Sequence, residues 1–333
     1  MSVFVYPTGG QGPEKLNPYI RNMKEALSKQ FEVVEPSYKK KLPRMLVFLL
    51  NSCKADVYVL NWIENSANHR WGLIGALLSL SGLIVVKIRQ KKIVWIFHNI
   101  HPHGGETFWS KTFQQFLFKH STIIVSHSQE ATDYAKRYAK CQVFFKNHPI
   151  KKVDFREWNG NLSDCDYYCW GRITPYKGIV EFISNPKCKE SGRTIIIVGK
   201  CENDSILNSM KDLSGDKILF EDRIPDFCEI AAQCKRAKYV VFPYIGESIS
   251  SSGALMDTLL MGGTPVGPNR GAFADLAKAG LCVTYNTIEE VYSLPVDEEH
   301  RIVIDKDKVV SFVKENSWEA FGQWLYDWVN EMH

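Results

Sequence analysis

The sequence has nine cysteines among its 333 residues but no C-x-x-C pair, so the usual signature of a structural zinc site is missing. Cys53, Cys141, Cys165, Cys169, Cys188, Cys201, Cys228, Cys234 and Cys282 are odd in number and irregularly spaced, as expected of free thiols in a reducing cytosol. The first residues, MSVFVYPTGG, lack a basic segment leading into an apolar one. They read as a first strand and not as a signal peptide. No apolar run reaches the roughly 20 residues of a spanning helix; the longest, Gly72–Val86, has 15. Charge of one sign is also scarce. Lys and Arg number 41 against 37 Asp and Glu, for a net +4. That excess is too weak to indicate nucleic acid, and it suits an anionic small substrate or an anionic membrane surface. Repeats of 20–50 residues and low-complexity tracts are absent. Neither D-x-D sequence sits on a loop that ends a strand. Asp164-Cys165-Asp166 precedes a strand, and Asp305-Lys306-Asp307 lies late in a polar stretch. No metal ion and no cofactor are therefore expected.

What is present is alternation. Short apolar runs at Ser2–Tyr6, Phe31–Val34, Val57–Leu60, Lys92–Phe97, Thr122–Ser126 and Gln142–Phe145 are separated by stretches with helical spacing. Asn17-Pro18 is a cap followed by proline at the first helical position, and Tyr19, Met23 and Leu27 follow on one face. The pattern resumes with strands at Tyr167–Trp170, Arg193–Val198, Ile218–Phe220, Tyr239–Pro243, Thr264–Val266 and Leu281–Thr284. Strands alternating with helices indicate α/β architecture with parallel sheet, here as two doubly wound lobes. A polar stretch, Asn147–Trp158, is the expected hinge. Ser317–Val329 is an aromatic helix. It is read either as a helix packed back across the lobes or as an amphipathic surface helix.

Three constellations carry possible chemistry. GRITPYKG, Gly171–Gly178, places Arg172 and Lys177 where a strand gives way to a helix. Free N–H groups and a positive helix end with two cations suit a diphosphate; two solvated surface charges account for the same letters. YIGESISSSGALMDTLLMGGTPV, Tyr244–Val266, follows a strand, where ligands of open α/β sheets bind. Ser252 is the expected cap, with Ser250, Ser251 and Gly253 beside it. Leu255, Met256, Leu259 and Leu260 are expected to face inward. Glu247 and Asp257 are the carboxylates for sugar or ribose hydroxyls, or else two surface acids beside a helix cap. HNIHPH, His98–His103, follows the strand KIVWIF. Imidazoles titrate near neutrality and move protons, although surface or structural histidines explain the same residues. The pair Gly9-Gly10 is either a ligand-side loop or an ordinary tight turn.

The glycine-arginine pair, the lysine-glycine pair five residues on, and the late serine/glycine helix start before Gly263-Thr264-Pro265-Val266 resemble GT-B glycosyltransferases, above all family four and related bacterial polysaccharide glycosyltransferases. The resemblance is best over Tyr167–Thr284. It implies two Rossmann-like lobes with a cleft between them: an acceptor-side lobe 1–152, a nucleotide-sugar-binding lobe 153–312, and a C-terminal helix 313–333 packing back toward the first lobe. It further implies donor binding by Gly171, Arg172, Lys177, Tyr244, Ser250, Ser251, Ser252, Gly253 and Asp257. In the N-terminal lobe it implies a loop of Gly9, Gly10 and Asn99. His98 would contact the sugar, with His103, Glu106 and Glu247 the remaining catalytic candidates. One departure stands out. Such proteins carry two glutamates with seven residues between them, but eight positions after Glu247 is Leu255. Asp257 takes the second place if the loop is longer, and Thr258 takes it if the alignment runs through Thr-Pro-Val.

The activity expected is transfer of a sugar from a nucleotide-diphosphate sugar to a glycan or polyprenyl-linked acceptor, in bacterial surface polysaccharide synthesis. A non-catalytic partner subunit of the same fold and a sugar-nucleotide epimerase are the alternatives. A phosphorylase would need a lysine for pyridoxal phosphate, and none is placed. Basic-plus-apolar segments at Tyr38–Leu50, and at Gly72–Val86 with Lys87–Lys92, suit peripheral contact with the inner face of a membrane. Buried helices with snorkelling lysines suit the same letters. The expected location is cytoplasmic.

Overall fold

The structure is a computed structural model and describes residues 1–8, 17–36, 42–68, 72–100, 107–246 and 251–331. The chain forms two compact units, Met1–Pro149 with Asn316–His333, and Ile150–Glu315. Among the described residues the strands make two six-stranded sheets, one in each unit, and every strand pair is parallel.

In the first unit the elements run β1 Ser2–Tyr6, α1 Pro18–Leu27, β2 Glu32–Val33, α2 Arg44–Asn51, β3 Val57–Asn61, α3 Gly72–Ile88, β4 Lys92–Phe97, α4 Phe108–His120, β5 Ile123–Ser126, α5 Gln129–Tyr138 and β6 Gln142–Phe145. The sheet order is β2-β1-β3-β4-β5-β6. Central strands are continuous apolar runs because helices cover both their faces: Val57, Tyr58, Val59 and Leu60 of β3 are all buried. The helices start where the sequence supplies caps. Asn17 accepts the Tyr19 N–H ahead of Pro18, and Thr107 and Ser110 form a reciprocal cap on α4.

The second unit contains β7 Tyr167–Trp170, α6 Ile179–Ser184, α7 Pro186–Ser191, β8 Ile195–Val198, α8 Asp204–Leu213, β9 Ile218–Glu221, α9 Phe227–Arg236, β10 Tyr239–Val241, α10 Gly253–Leu260, β11 Pro265–Pro268, α11 Gly271–Lys278, β12 Val283–Tyr285, α12 Glu289–Tyr292 and α13 Lys306–Glu315. Its order, β12-β11-β10-β7-β8-β9, reverses direction between β7 and β10. That reversal leaves a crevice at the strand ends.

The last helix, α14 Trp318–Glu331, belongs to the first unit, although the second unit separates it from the rest in sequence. Trp318, Phe321, Leu325 and Val329 are buried in one apolar cluster with Tyr19, Ile20, Met23 and Leu27 of α1. The Lys92 ammonium donates to the Val329 carbonyl at 2.6 Å, and Lys146 lies 4.5 Å from the Trp324 ring centroid. The aromatic residues of this helix are thus core of the first unit. Leu325→Ala removes a fully enclosed side chain and should cost about 2–5 kcal/mol, read as a lower urea midpoint. A loss under about 0.5 kcal/mol, the usual effect of a surface substitution, would mean that α14 is only appended.

Candidate functional site

The site in the second unit is built at the β7/β10 reversal. β7 ends in Gly171, whose N–H donates to the Val198 carbonyl at 3.1 Å. Beyond it the chain makes a tight turn, Pro175–Lys177, and then Gly178 adopts φ +63°. A β-carbon on Gly178 would lie 2.1 Å from the Pro243 carbonyl oxygen, and one on Gly199 would lie 2.0 Å from the Gly171 oxygen. Only glycine fits at either place. These close approaches bring the loop after β7 against the loop after β10. The Ile245 N–H donates to the Tyr176 carbonyl at 3.0 Å, and the Tyr176 and Tyr244 rings meet edge to face at 5.8 Å.

Lys177 lies folded in over Gly171: a β-carbon there would stand 3.4 Å from its ammonium nitrogen. No carboxylate pairs with it among the described residues. Burial first, and then the nearby positive charge of Arg172, lowers its pKa to about 8. Arg172 itself is exposed and reaches Glu202 at 3.4 Å. A half-sequestered ammonium beside a guanidinium, with no anion of its own, is a site prepared for one.

α10 adds a second element. Ser252 caps it by accepting the Leu255 N–H at 3.3 Å, and the Tyr244 hydroxyl lies 3.4 Å from the Ser252 oxygen. Among the described residues the N–H groups of Gly253 and Ala254 have no acceptor, as the first turn of a helix requires. Ser251 sits just before the cap, half-buried. Leu255, Met256 and Leu259 face the core, whereas Leu260 is only partly buried. Asp257 has no side-chain partner among the described residues, and burial raises its pKa to about 7. Thr258, the other candidate for the second-glutamate position, is fully buried. Its hydroxyl accepts the Trp170 indole N–H at 3.1 Å. It points into the core and is committed there.

In the first unit, His98 stands at the end of β4 but is only 2% exposed. Its ring stacks on Trp62 at 4.2 Å. Asn61 donates to the Tyr6 carbonyl, so its side-chain oxygen accepts from His98 Nε2–H at 3.0 Å. Beside it lie two histidines that the sequence reading did not single out, each just past a neighbouring strand. His127 donates Nδ1–H to the Lys146 carbonyl at 2.7 Å, so its Nε2 accepts the Tyr19 hydroxyl at 2.6 Å. His148 donates Nδ1–H to the Pro149 carbonyl at 3.0 Å. Tyr19 touches all three rings and Trp318. Burial holds His98 well below its ordinary pKa, His127 at about 3 and His148 at about 4. The signal was a histidine directly after each of β4 and β5 and another three residues past β6. Asn99 is half-buried next to His98. Gly9, Gly10, His103, Glu106, Glu247 and Ser250 lie outside the described residues.

No family model matches this sequence, and no curated protein matches it. Solved structures do match. HepE of Anabaena, in complex with UDP and glucose, aligns with TM-score 0.68 and 12% identity over 99% of both chains. This chain has the GT-B fold. A glycosyltransferase from Rickettsia africae aligns at TM-score 0.64 and 12% identity, over 99% of this chain and 97% of that one. The Escherichia coli trehalose-6-phosphate structure bound with UDP-2-fluoro glucose aligns at 0.65 and 8%, over 98% of each. At these identities the GT-B likeness is one of architecture and does not select one glycosyltransferase family.

Two predictions follow from these geometries. Lys177 costs the empty protein stability in full below pH 8. The cost is relieved between about pH 8 and the ordinary value of about 10.5, where the unfolded chain binds the extra proton. Lys177→Met should therefore be more stable than the parent at pH 7, by on the order of 2 kcal/mol, with the gap closing above pH 9; equal melting curves would show an ammonium that is not sequestered. In the first unit, imidazole nitrogen NMR should find His98, His127 and His148 neutral down to pH 5, with His127 as the Nδ1–H tautomer. Titration of all three near pH 6.5 would mean that the cluster is open to water.

Proposed function

We propose that this chain is a glycosyltransferase whose second unit binds a nucleotide-diphosphate sugar. The observation that carries the reading is Lys177, a largely buried ammonium without a carboxylate partner among the described residues, at the sheet's reversal point. It lies in a fold whose solved examples include HepE with UDP and glucose, which favours UDP as the donor base. As the bond from the anomeric carbon to the β-phosphate oxygen breaks, negative charge develops on the diphosphate. Lys177, Arg172 and the free N–H groups of Gly253 and Ala254 stabilise it, so their effect is larger in the transition state than in the bound donor. The acceptor hydroxyl forms the new bond to the anomeric carbon and gives up its proton to the leaving phosphate or to a base. His103 and Glu106 are the candidates for that base, and Glu247 and Ser250 complete the donor loop. Arg172 and Lys177 supply the charge that a metal would otherwise bring, so transfer needs no metal. The acceptor is a glycan or a lipid-linked sugar, as in bacterial surface polysaccharide, handled at the cytoplasmic side of the membrane.

Thr258 favours a second reading. Its commitment to Trp170 removes a hydroxyl contact from the donor side, as expected in a non-catalytic partner subunit. Calorimetry with UDP, GDP and ADP, with and without magnesium, separates the two. The donor reading expects one diphosphate to bind without magnesium. It also expects about 30- to 100-fold weaker binding in Lys177→Ala, the worth of a charge-assisted phosphate contact, and loss of most turnover in Arg172→Ala. Absence of binding by every diphosphate would reject the donor site. Binding without transfer or hydrolysis of any sugar nucleotide would favour the partner subunit.

A further inference from the structure

α3 is apolar on every side, a pattern that calls for burial all round. Its inner face is buried, through Gly75, Ala76, Ser79, Gly82, Leu83 and Val86. Its outer face is not. Leu73, Ile74, Leu77, Ile84 and Ile88 are between 42% and 74% exposed. Their spacing puts them in one row, with Ser81 filling the remaining position. Solvated surfaces carry such residues singly, and a continuous row marks an interaction face. No helix among the described residues is long and apolar enough to cross a membrane, so this one can lie on a bilayer and not through it.

The charges beside the row name the occupant. His120, ending α4, lies within the field of Lys87, Lys119 and Lys140. Between α4 and α5 runs a groove of about 440 Å³. Lys119, Lys140, Phe118, Tyr134 and Tyr138 are among its lining residues, and among the described residues no carboxylate lines it. Lys87 and Lys119 sit in last helical turns, where cations complement the helix dipole, but Lys140 lies in the connection to β6 and has no such reason. A second copy of the chain would cover the apolar row and leave the groove's charge uncompensated; an anionic bilayer answers both.

We propose that the α3 face docks the first unit on an anionic lipid surface, the Leu/Ile row entering the acyl boundary and Lys87, Lys119 and Lys140 resting against phosphate headgroups. The docking does not depend on the donor reading, because it is measured without nucleotide. In vesicle flotation, the full chain should bind phosphatidylcholine vesicles containing about one third phosphatidylglycerol and should leave them as salt is raised. Leu77→Gln with Ile84→Gln, and separately Lys119→Glu with Lys140→Glu, should each weaken binding about tenfold or more. All four positions are on the surface, and unchanged circular dichroism and melting would confirm folding. Failure of the parent to float, or equal flotation of both variants, would overturn the proposal. So would a concentration-dependent dimer abolished by the Leu77→Gln/Ile84→Gln pair, which would give the face to a second copy.

Discussion

The arrangement of the second unit depends on how closely Gly178 sits against the Pro243 carbonyl. With no β-carbon in the way, the turn after β7 lies directly on the loop after β10, and the Tyr176–Ile245 hydrogen bond fastens the two. The rest follows from that seating. Lys177 precedes Gly178 and is folded inward over Gly171, which the Gly199 contact holds in place. Tyr244 is brought within 3.4 Å of the Ser252 cap, so the start of α10 is tied to the same loop. A side chain at Gly178 would part the loops, and the cations and the helix end would no longer belong to one site.

The histidines of the first unit and two sequestered charges of the second stand in opposite situations. In the first, His98, His127 and His148 each make a hydrogen bond, and the rings pack on Tyr19, Trp62 and Trp318. Satisfied polar networks of this kind rigidify a core. In the second, Lys177 and Asp257 are largely sequestered with no side-chain partner among the described residues. An unpaired buried charge is costly, and a protein keeps one where a ligand supplies the missing partner. The chemistry is therefore expected nearer Lys177 than His98, although the sequence makes the histidines more conspicuous.

Legibility from sequence tracked the range of the interaction. Strands buried on both faces are continuous apolar runs, so Lys92–Phe97 could be placed to the residue, and the half-buried edge strand Gln142–Phe145 has the bounds its apolar letters imply. Caps are local too, and Asn17 and Ser252 cap as their spacing implied. Two doubly wound lobes are readable from the alternation, and the GT-B architecture from the resemblance that the glycine-bearing turns carry. Contacts across the sheet were not readable. Nothing in the letters joins Thr258 to Trp170, 88 positions apart. Nor do they join His98 to His127, because each is an isolated residue whose meaning depends on β4 and β5 being neighbours.

The same limit explains the apolar segment Gly72–Val86. As sequence it fits a buried helix and a surface one equally well, since both are written in Leu, Ile and Val. The decisive quantity is which side the small residues occupy. Gly75, Ala76, Ser79 and Gly82 are spent on the inner face, where a helix must approach its neighbours closely. Leu83 and Val86 join them, but the larger number of big side chains, Leu73, Ile74, Leu77, Ile84 and Ile88, is left outside, where they gain little from the fold itself. Selection for stability alone would tend to reverse that order. A helix with its bulk turned outward is shaped for an apolar surface that the chain does not itself provide.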